Sequence, residues 1–192
     1  MNHNEFKSRG KLLLGACGAI SVVHLCSWIT FLRMSFCENI QVILTKQASK
    51  MINPWVVSQF TQNPTYTDFF EFGKPALHAS LPAESDLFLI MPSTANTMGK
   101  VANGICDDLL TAAVMNARCP VVFVPFMNME MWEKKAVQRN VRKLKEEGYH
   151  VFYELQQNYK ISDGAQVMSV GMDLDKLVIK LKRLIIQSDP TH

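Results

Sequence analysis

The chain has 192 residues, of which 48% are hydrophobic and 19% are charged, and its formal net charge is +3. This balance is typical of a globular domain and excludes intrinsic disorder. The small, scattered charge does not favour nucleic acid as a partner. We expect one domain over residues 1–192, with residues 1–10 as a disordered or partly ordered tail.

The N-terminal apolar run, Leu12–Leu32, follows three basic residues and has two interpretations. Secretory signals and membrane spans show such runs. The interruption by His24 and by Gly and Ser residues favours a buried strand, a turn and a helix instead. A second strand-like run follows at Ile40–Thr45, at the distance expected for this arrangement. We therefore expect no membrane segment.

The elements that follow alternate between buried strands and amphipathic helices. Strand, helix, strand in this order is a βαβ unit, which implies a parallel sheet. The predicted strands are Lys11–Ala16, Ile40–Thr45, Asp86–Met91, Val121–Val124 and His150–Leu155. The predicted helices are Ser21–Phe36, Trp55–Thr61, Thr97–Ala117, Met131–Glu147 and one that begins after Asp173. The pattern predicts an α/β fold, a single doubly wound parallel sheet (Rossmann-like or flavodoxin-like) of five or six strands with helices on both faces.

The cysteine content bears on the compartment. The chain has five cysteines, an odd number, and no CxxC pair. This pattern predicts neither a disulfide framework nor a zinc site, and we expect no bound metal. A reducing, cytoplasmic location fits this content best.

Two loops after the first strands are candidates for binding a phosphate, because ligands of such sheets lie at the carboxyl ends of the strands. The first contains Gly15 and Gly18 and opens a helix, so its backbone N–H groups suit an anion. A tight turn without a ligand explains it equally well. The second offers the Thr45 hydroxyl and the Lys46 ammonium group. A solvated helix start is the alternative there.

The loop Pro92–Thr97 has small side chains that leave room for a flat ring, and its hydroxyl and amide groups suit ring heteroatoms. The same composition is typical of a helix N-cap. In the loop after Val124, Asn128 lies among large apolar residues, which indicates a carboxylate site or another cap. His78 is a candidate proton carrier near neutral pH. A lone histidine is more often structural, and we interpret His24 in that way.

Two longer stretches resemble a known family. Residues 92–111, PSTANTMGKVANGICDDLLT, resemble the PASANT-type signature of the homo-oligomeric flavin-containing cysteine decarboxylases. Residues 125–132, PFMNMEMW, resemble the P-x-M-N-x-x-M-W motif of that family. The resemblance implies an FMN cofactor, with FAD as an alternative, and trimers or dodecamers of trimers with flavin at a subunit interface.

The resemblance also implies roles for particular residues. His78 and Asn128 become the catalytic residues. The implied flavin contacts are Gly18, Ala19, Ile20, Ser21, Thr45, Lys46, Thr94, Ala95, Asn96, Thr97, Phe126 and Met127. The implied substrate contacts are Asn128, Met131, Ile161 and Ser162, with the segment 153–172 as a flap over the substrate. One departure concerns Ala19, where the family usually has a serine, so one side-chain contact to the phosphate is lost.

The branches of this family differ in their C-terminal segment. The branch that decarboxylates phosphopantothenoylcysteine carries a reactive cysteine there, whereas this chain has none after Cys119. Residues 158–165 resemble instead the E-I-S-S-G stretch of the epidermin-type enzymes. This implies oxidative decarboxylation of the C-terminal cysteine of a ribosomal precursor peptide to an aminoenethiol, as in lantibiotic biosynthesis. The alternatives are the coenzyme A branch and a flavin-binding regulatory subunit without turnover. The flavin prenyltransferase branch normally lacks the histidine and the P-x-M-N motif.

Overall fold

The computed structural model of the chain describes residues 3–69, 76–159 and 164–187. Its strands are β1 (Lys11–Ala16), β2 (Asn39–Leu44), β3 (Thr65–Tyr66), β4 (Leu87–Ser93), β5 (Val121–Pro125), β6 (Met127–Asn128), β7 (His150–Val151), β8 (Glu154–Tyr159) and β9 (Gln166–Gly171). Its α-helices are α1 (His3–Arg9), α2 (Leu25–Ser35), α3 (Pro54–Thr61), α4 (Leu77–Ala83), α5 (Ala95–Ala102), α6 (Leu109–Asn116), α7 (Met129–Trp132), α8 (Lys135–Glu146) and α9 (Leu174–Gln187). Short 3-10 helices span Ile20–His24 and Ala48–Lys50.

The main sheet has six parallel strands in the order β3-β2-β1-β4-β5-β7. The predicted doubly wound α/β class is therefore confirmed. The strand order reverses between β1 and β4, which leaves a crevice outside the carboxyl ends of these two strands. The loops that begin at Cys17 and at Thr94 meet at this point.

Helices cover both faces of the sheet, which explains why its strands are continuously apolar. In β4 the side chains of Leu87, Leu89 and Met91 pack in one core cluster, on the side of α1, α2 and α9. Phe88 and Ile90 pack in the other, on the side of α4, α5, α6 and α8. All five side chains are fully buried.

The N-terminal segment, expected to be a disordered or partly ordered tail, contains a helix. Residues 3–9 form α1, and Phe6 is buried with its ring centroid 5.1 Å from that of Phe36. The Glu38 backbone N–H also donates to the carbonyl of Lys7 at 2.9 Å. The Phe6–Phe36 contact and this backbone bond thus help to hold the segment against the domain. None of the helices in the described part of the chain combines the length and apolar character needed to cross a membrane.

Two predicted helices are each interrupted. The predicted Thr97–Ala117 helix divides into α5 and α6, because Gly104 adopts a φ of 68° and Asp108 caps a new helix through the backbone N–H of Thr111 at 2.8 Å. The predicted Met131–Glu147 helix likewise divides into α7 and α8. Apolar spacing continues through both breaks, so periodicity alone did not reveal them.

The C-terminal part contains a second sheet that was not predicted. The expected strand His150–Leu155 is only two residues long in the parallel sheet, as β7. The chain then enters an antiparallel sheet with the order β6-β9-β8. Its pairing of Met127 with Val170 and of Asn128 with Ser169 places the β8–β9 hairpin beside the segment that follows β5.

Candidate functional site

A cleft of about 780 Å³ lies where the strand order reverses. Its walls come from the start of the helical segment after β1, the loop after β4, the segment after β5 and the β8–β9 hairpin. The lining residues are Gly18, Ala19, Ile20, Ser21, Val23, His24, Trp28, Thr94, Ala95, Phe126, Met127, Asn128, Met131, Gln156, Asn158, Val167, Ser169 and Val170. This volume is in the range of cofactor and ligand sites.

The loop after β1 forms one end of the cleft and packs tightly against the loop after β2. A Cβ atom at Gly18 would lie 2.5 Å from Cβ of Gln47, so only glycine allows this approach. Ala19 precedes the 3-10 helix and makes no side-chain cap hydrogen bond. The Ala19 N–H donates to the Cys17 carbonyl at 2.8 Å, and the Val22 N–H donates to the Ala19 carbonyl at 2.9 Å. The N–H groups of Ile20 and Ser21, the first two of the 3-10 helix, lack an intrahelical acceptor and can face an anion in the cleft.

Ser21 adds a hydroxyl group to this end of the cleft. Its Oγ atom is buried and has no hydrogen-bond partner within the described structure. A buried hydroxyl without a partner is costly, and a bound phosphate oxygen would satisfy it. The cleft is therefore suited to a phosphate here even though Ala19 has no side-chain donor.

The loop after β4 acts both as a helix cap and as a wall of the cleft. Oγ1 of Thr94 accepts a hydrogen bond from the Thr97 backbone N–H at 3.3 Å, which caps α5. Thr94 and Ala95 also line the cleft, and the alanine leaves room for a flat ring. Thr97 is buried and Asn96 is exposed, and neither lines the cleft.

Cys17 lies beneath this loop and is fully buried. Burial raises the pKa of its thiol to about 11, although hydrogen bonds with the Thr97 side chain and the Thr94 backbone oppose the shift. The thiol is therefore protonated at neutral pH, and it is not a nucleophile there.

The segment after β5 places an amide group in the cleft. The backbone N–H of Phe126 donates to the carbonyl of Ser93 at 3.0 Å, which ties this segment to the end of β4. Oδ1 of Asn128 accepts from the Met131 backbone N–H at 2.9 Å and caps α7. Because the cap uses the oxygen, the NH₂ group is the donor that Asn128 offers to a ligand. The sequence left open a cap or a carboxylate site, and this geometry accommodates both.

The β8–β9 hairpin forms the opposite wall with polar side chains. Gln156 and Asn158 on β8, and Val167 and Ser169 on β9, follow the two-residue alternation of strands and line the cleft. Nδ2 of Asn158 donates to Oγ of Ser169. The hairpin belongs to the segment predicted to be a flap.

Several predicted site residues lie elsewhere. His78 is on α4, with its ring centroid 6.0 Å from that of Phe69, and does not line the cleft. Thr45 and Lys46 lie beside the first loop, where the Thr45 N–H donates to the Ala16 carbonyl at 3.0 Å, but they do not line the cleft either. The substrate contacts expected at Ile161 and Ser162 lie outside the described residues.

Three lining residues on the helical segment were not expected: Val23, His24 and Trp28. The ring of Trp28 packs on that of Phe126, with centroids 5.1 Å apart. The sequence feature that could have indicated His24 and Trp28 is their helical spacing from Ser21, which places the three side chains on one face of the helical segment. The hairpin residues carried only a two-residue polar alternation, a much weaker signal.

Comparisons with known proteins show the family of the chain. A family model described as Flavoprotein matches residues 1–181. The mersacidin decarboxylase of Bacillus sp. (strain HIL-Y85/54728) is 32% identical over 175 residues, which cover 90% of this chain and 89% of that protein.

Solved structures of similar proteins share the fold of this chain. The FMN-dependent cysteine decarboxylase SpaF has a TM-score of 0.79 and 34% identity, and the match covers 94% of this chain and 98% of that one. A His-to-Asn variant of EpiD in complex with the substrate peptide DSYTC has a TM-score of 0.82 and 26% identity, with 91% and 98% coverage. The chain therefore belongs to the Flavoprotein family.

Proposed function

We propose that this chain is an enzyme that oxidatively decarboxylates the C-terminal cysteine of a ribosomal precursor peptide, giving an aminoenethiol in lantibiotic-type biosynthesis. The observation that carries the proposal is that one cleft is lined by the loop after β1, by Thr94 and Ala95, and by Asn128. The relatives support it, because one is a mersacidin decarboxylase and the peptide bound to EpiD ends in cysteine.

The proposed cofactor is FMN, and the residues of the cleft fit it. The Ser21 hydroxyl, which has no partner among the described residues, and the N–H groups at the start of the 3-10 helix suit its phosphate, and Ala95 leaves space for its ring. SpaF is described as FMN-dependent, which favours FMN over FAD. When bound, a flavin supplies an acceptor for the hydride that the oxidation of a cysteine side chain releases.

The substrate needs this oxidation because a cysteine carboxylate has no electron sink. Oxidation of the Cβ–S bond to a thioaldehyde places a sink β to the carboxylate, and the loss of carbon dioxide then leaves an enethiol. Asn128 donates its amide N–H to the substrate carboxylate and so orients Cβ. Gln156 and Asn158 on the hairpin, together with Met131, contact the peptide and exclude water.

We assign the proton transfer to His78 and infer a homo-oligomer, a trimer or a dodecamer of trimers. Within one chain, Asn128 lines the cleft and His78 does not. This separation supports an assembly in which a second copy brings its His78 to the cleft. The five unpaired cysteines support a cytoplasmic location.

The test is mass spectrometry of synthetic peptides incubated with the FMN-loaded protein. A peptide that ends in Cys should lose carbon dioxide and two hydrogens, and a matched peptide that ends in Ser should remain intact. An unchanged Cys peptide, with no bleaching of the flavin colour under anaerobic conditions, would point to the non-catalytic subunit. Conversion of phosphopantothenoylcysteine to the saturated amine would point to the coenzyme A branch.

A further inference from the structure

The cleft contains almost no charged side chains for a ligand that carries a phosphate. Among the described residues that line it there is no Lys, Arg, Asp or Glu, and His24 is the single ionisable side chain. A phosphate monoester carries close to two negative charges at neutral pH. Without His24, a phosphate in the cleft would be bound only by the neutral donors at Ser21 and the adjacent backbone.

The local helix geometry places His24 on the same wall as these donors. Residues three apart eclipse each other in a 3-10 helix, so Ser21 and His24 share one face of Ile20–His24. Helical side chains also lean towards the N-terminus of their helix, which is the end where the backbone donors lie. The imidazole of His24 therefore lies on the phosphate side of the wall.

The surroundings leave the imidazole nitrogens available. His24 is the N-cap residue of α2, but its side chain makes no cap hydrogen bond. Its ring centroid lies 6.2 Å from that of Trp28, one turn further along, and Trp28 itself packs on Phe126. This aromatic contact supports the ring without using its N–H groups.

We propose that His24 is a phosphate-binding residue of the flavin site and gives the cleft its preference for a phosphorylated flavin. The inference rests on the proposed flavin cofactor and extends it to one side chain. Its imidazole donates a hydrogen bond to a phosphate oxygen, beside the Ser21 hydroxyl.

The experiment compares the dissociation constants of FMN and riboflavin, which differ only by the phosphate, by quenching of flavin fluorescence. His24→Phe keeps an aromatic ring beside Trp28 but removes the donors. It should bind FMN about tenfold more weakly, while riboflavin binding changes by less than about twofold. His24→Lys places N–H donors at the same position and should retain most of the FMN affinity. The matched control is His150→Phe, outside the cleft lining, and it should behave as wild type.

The outcomes separate this inference from the proposed function. A His24→Phe variant that keeps the wild-type ratio of FMN to riboflavin affinity would overturn the role of His24 and leave the cofactor intact. An equal loss for both flavins would overturn it as well, because the side chain would then act on the ring or on the fold. A wild-type protein that binds neither flavin would instead refute the proposed cofactor.

Discussion

One added methyl group at Gly18 tests the proposed phosphate-binding loop. A Cβ atom there would lie 2.5 Å from Cβ of Gln47 and 3.3 Å from the carbonyl carbon of Gln47. The carbonyl carbon is a backbone atom and Cβ is attached directly to the backbone, so the loop after β2 must move to relieve the contact. Gly18 does not have a left-handed φ, and the cost of Gly18→Ala is therefore steric.

Overpacking of this kind costs about 1–3 kcal/mol. At about 2–4 °C per kcal/mol for a domain of this size, the melting temperature should fall by roughly 2–12 °C. Displacement of the loop also disturbs the donors beside it, and we expect FMN to bind about tenfold more weakly. Thermal denaturation and flavin fluorescence titration measure the two effects.

Gly99→Ala is the matched control. At this position in α5, a Cβ atom would meet only the flexible amide end of Asn140 at 3.2 Å. Alanine also favours the helical state, so the melting temperature should stay the same or rise, and FMN binding should not change. If Gly18→Ala melted and bound FMN like Gly99→Ala, the inferred packing of the two loops would be refuted.

Three further predictions concern other residues. Ser21→Ala removes a hydroxyl that has no hydrogen-bond partner among the described residues, so the flavin-free protein should melt as wild type while FMN binds about fivefold to tenfold more weakly. A destabilised flavin-free variant would contradict this. Asn128→Asp keeps the cap of α7 and the melting temperature but repels the substrate carboxylate, so peptide decarboxylation followed by mass spectrometry should fall by about a hundredfold; full turnover would exclude the assigned role. Burial raises the thiol pKa values of Cys17 and Cys37 from 9.0 to about 11. As the pH rises, the unfolded chain therefore loses these protons before the folded chain does. The free energy of unfolding, measured in urea, should decrease as the pH rises from about 9 to 11, and it should decrease less steeply in Cys37→Ala. A pH slope of Cys37→Ala identical to that of wild type would contradict the burial argument.

Local patterns predicted the parallel strands well because burial on both faces leaves a continuous apolar run. The predicted strand Lys11–Ala16 has the observed bounds of β1, and the strand predicted at Asp86–Met91 is β4, which continues to Ser93. The helix predicted to begin after Asp173 is α9, and the Lys176 N–H donates to Oδ1 of Asp173 at 3.1 Å. These features depend on neighbours within a few residues.

The second sheet depends on distant partners and was missed. The sequence of β8, ELQQNY, has no apolar alternation, because several of its polar side chains face the cleft rather than a core. Its partner β9 pairs in turn with Met127 and Asn128, about 40 residues earlier in the chain. A pairing of this kind leaves little trace in local propensity.

The α/β class, and the loops after β1, β4 and β5 that line the cleft, were predictable from the sequence, because both follow from the alternation of buried strands and helices. The resemblance of its two motifs also indicated the family to which the chain belongs. Which side chains share the cleft depends on the tertiary structure. It brings Ser21, Thr94 and Asn128 together, leaves His78 outside, and places His24 inside. The direction of a side chain depends on how its helix is rotated about its axis and on which strands are neighbours. Both depend on contacts with distant parts of the chain.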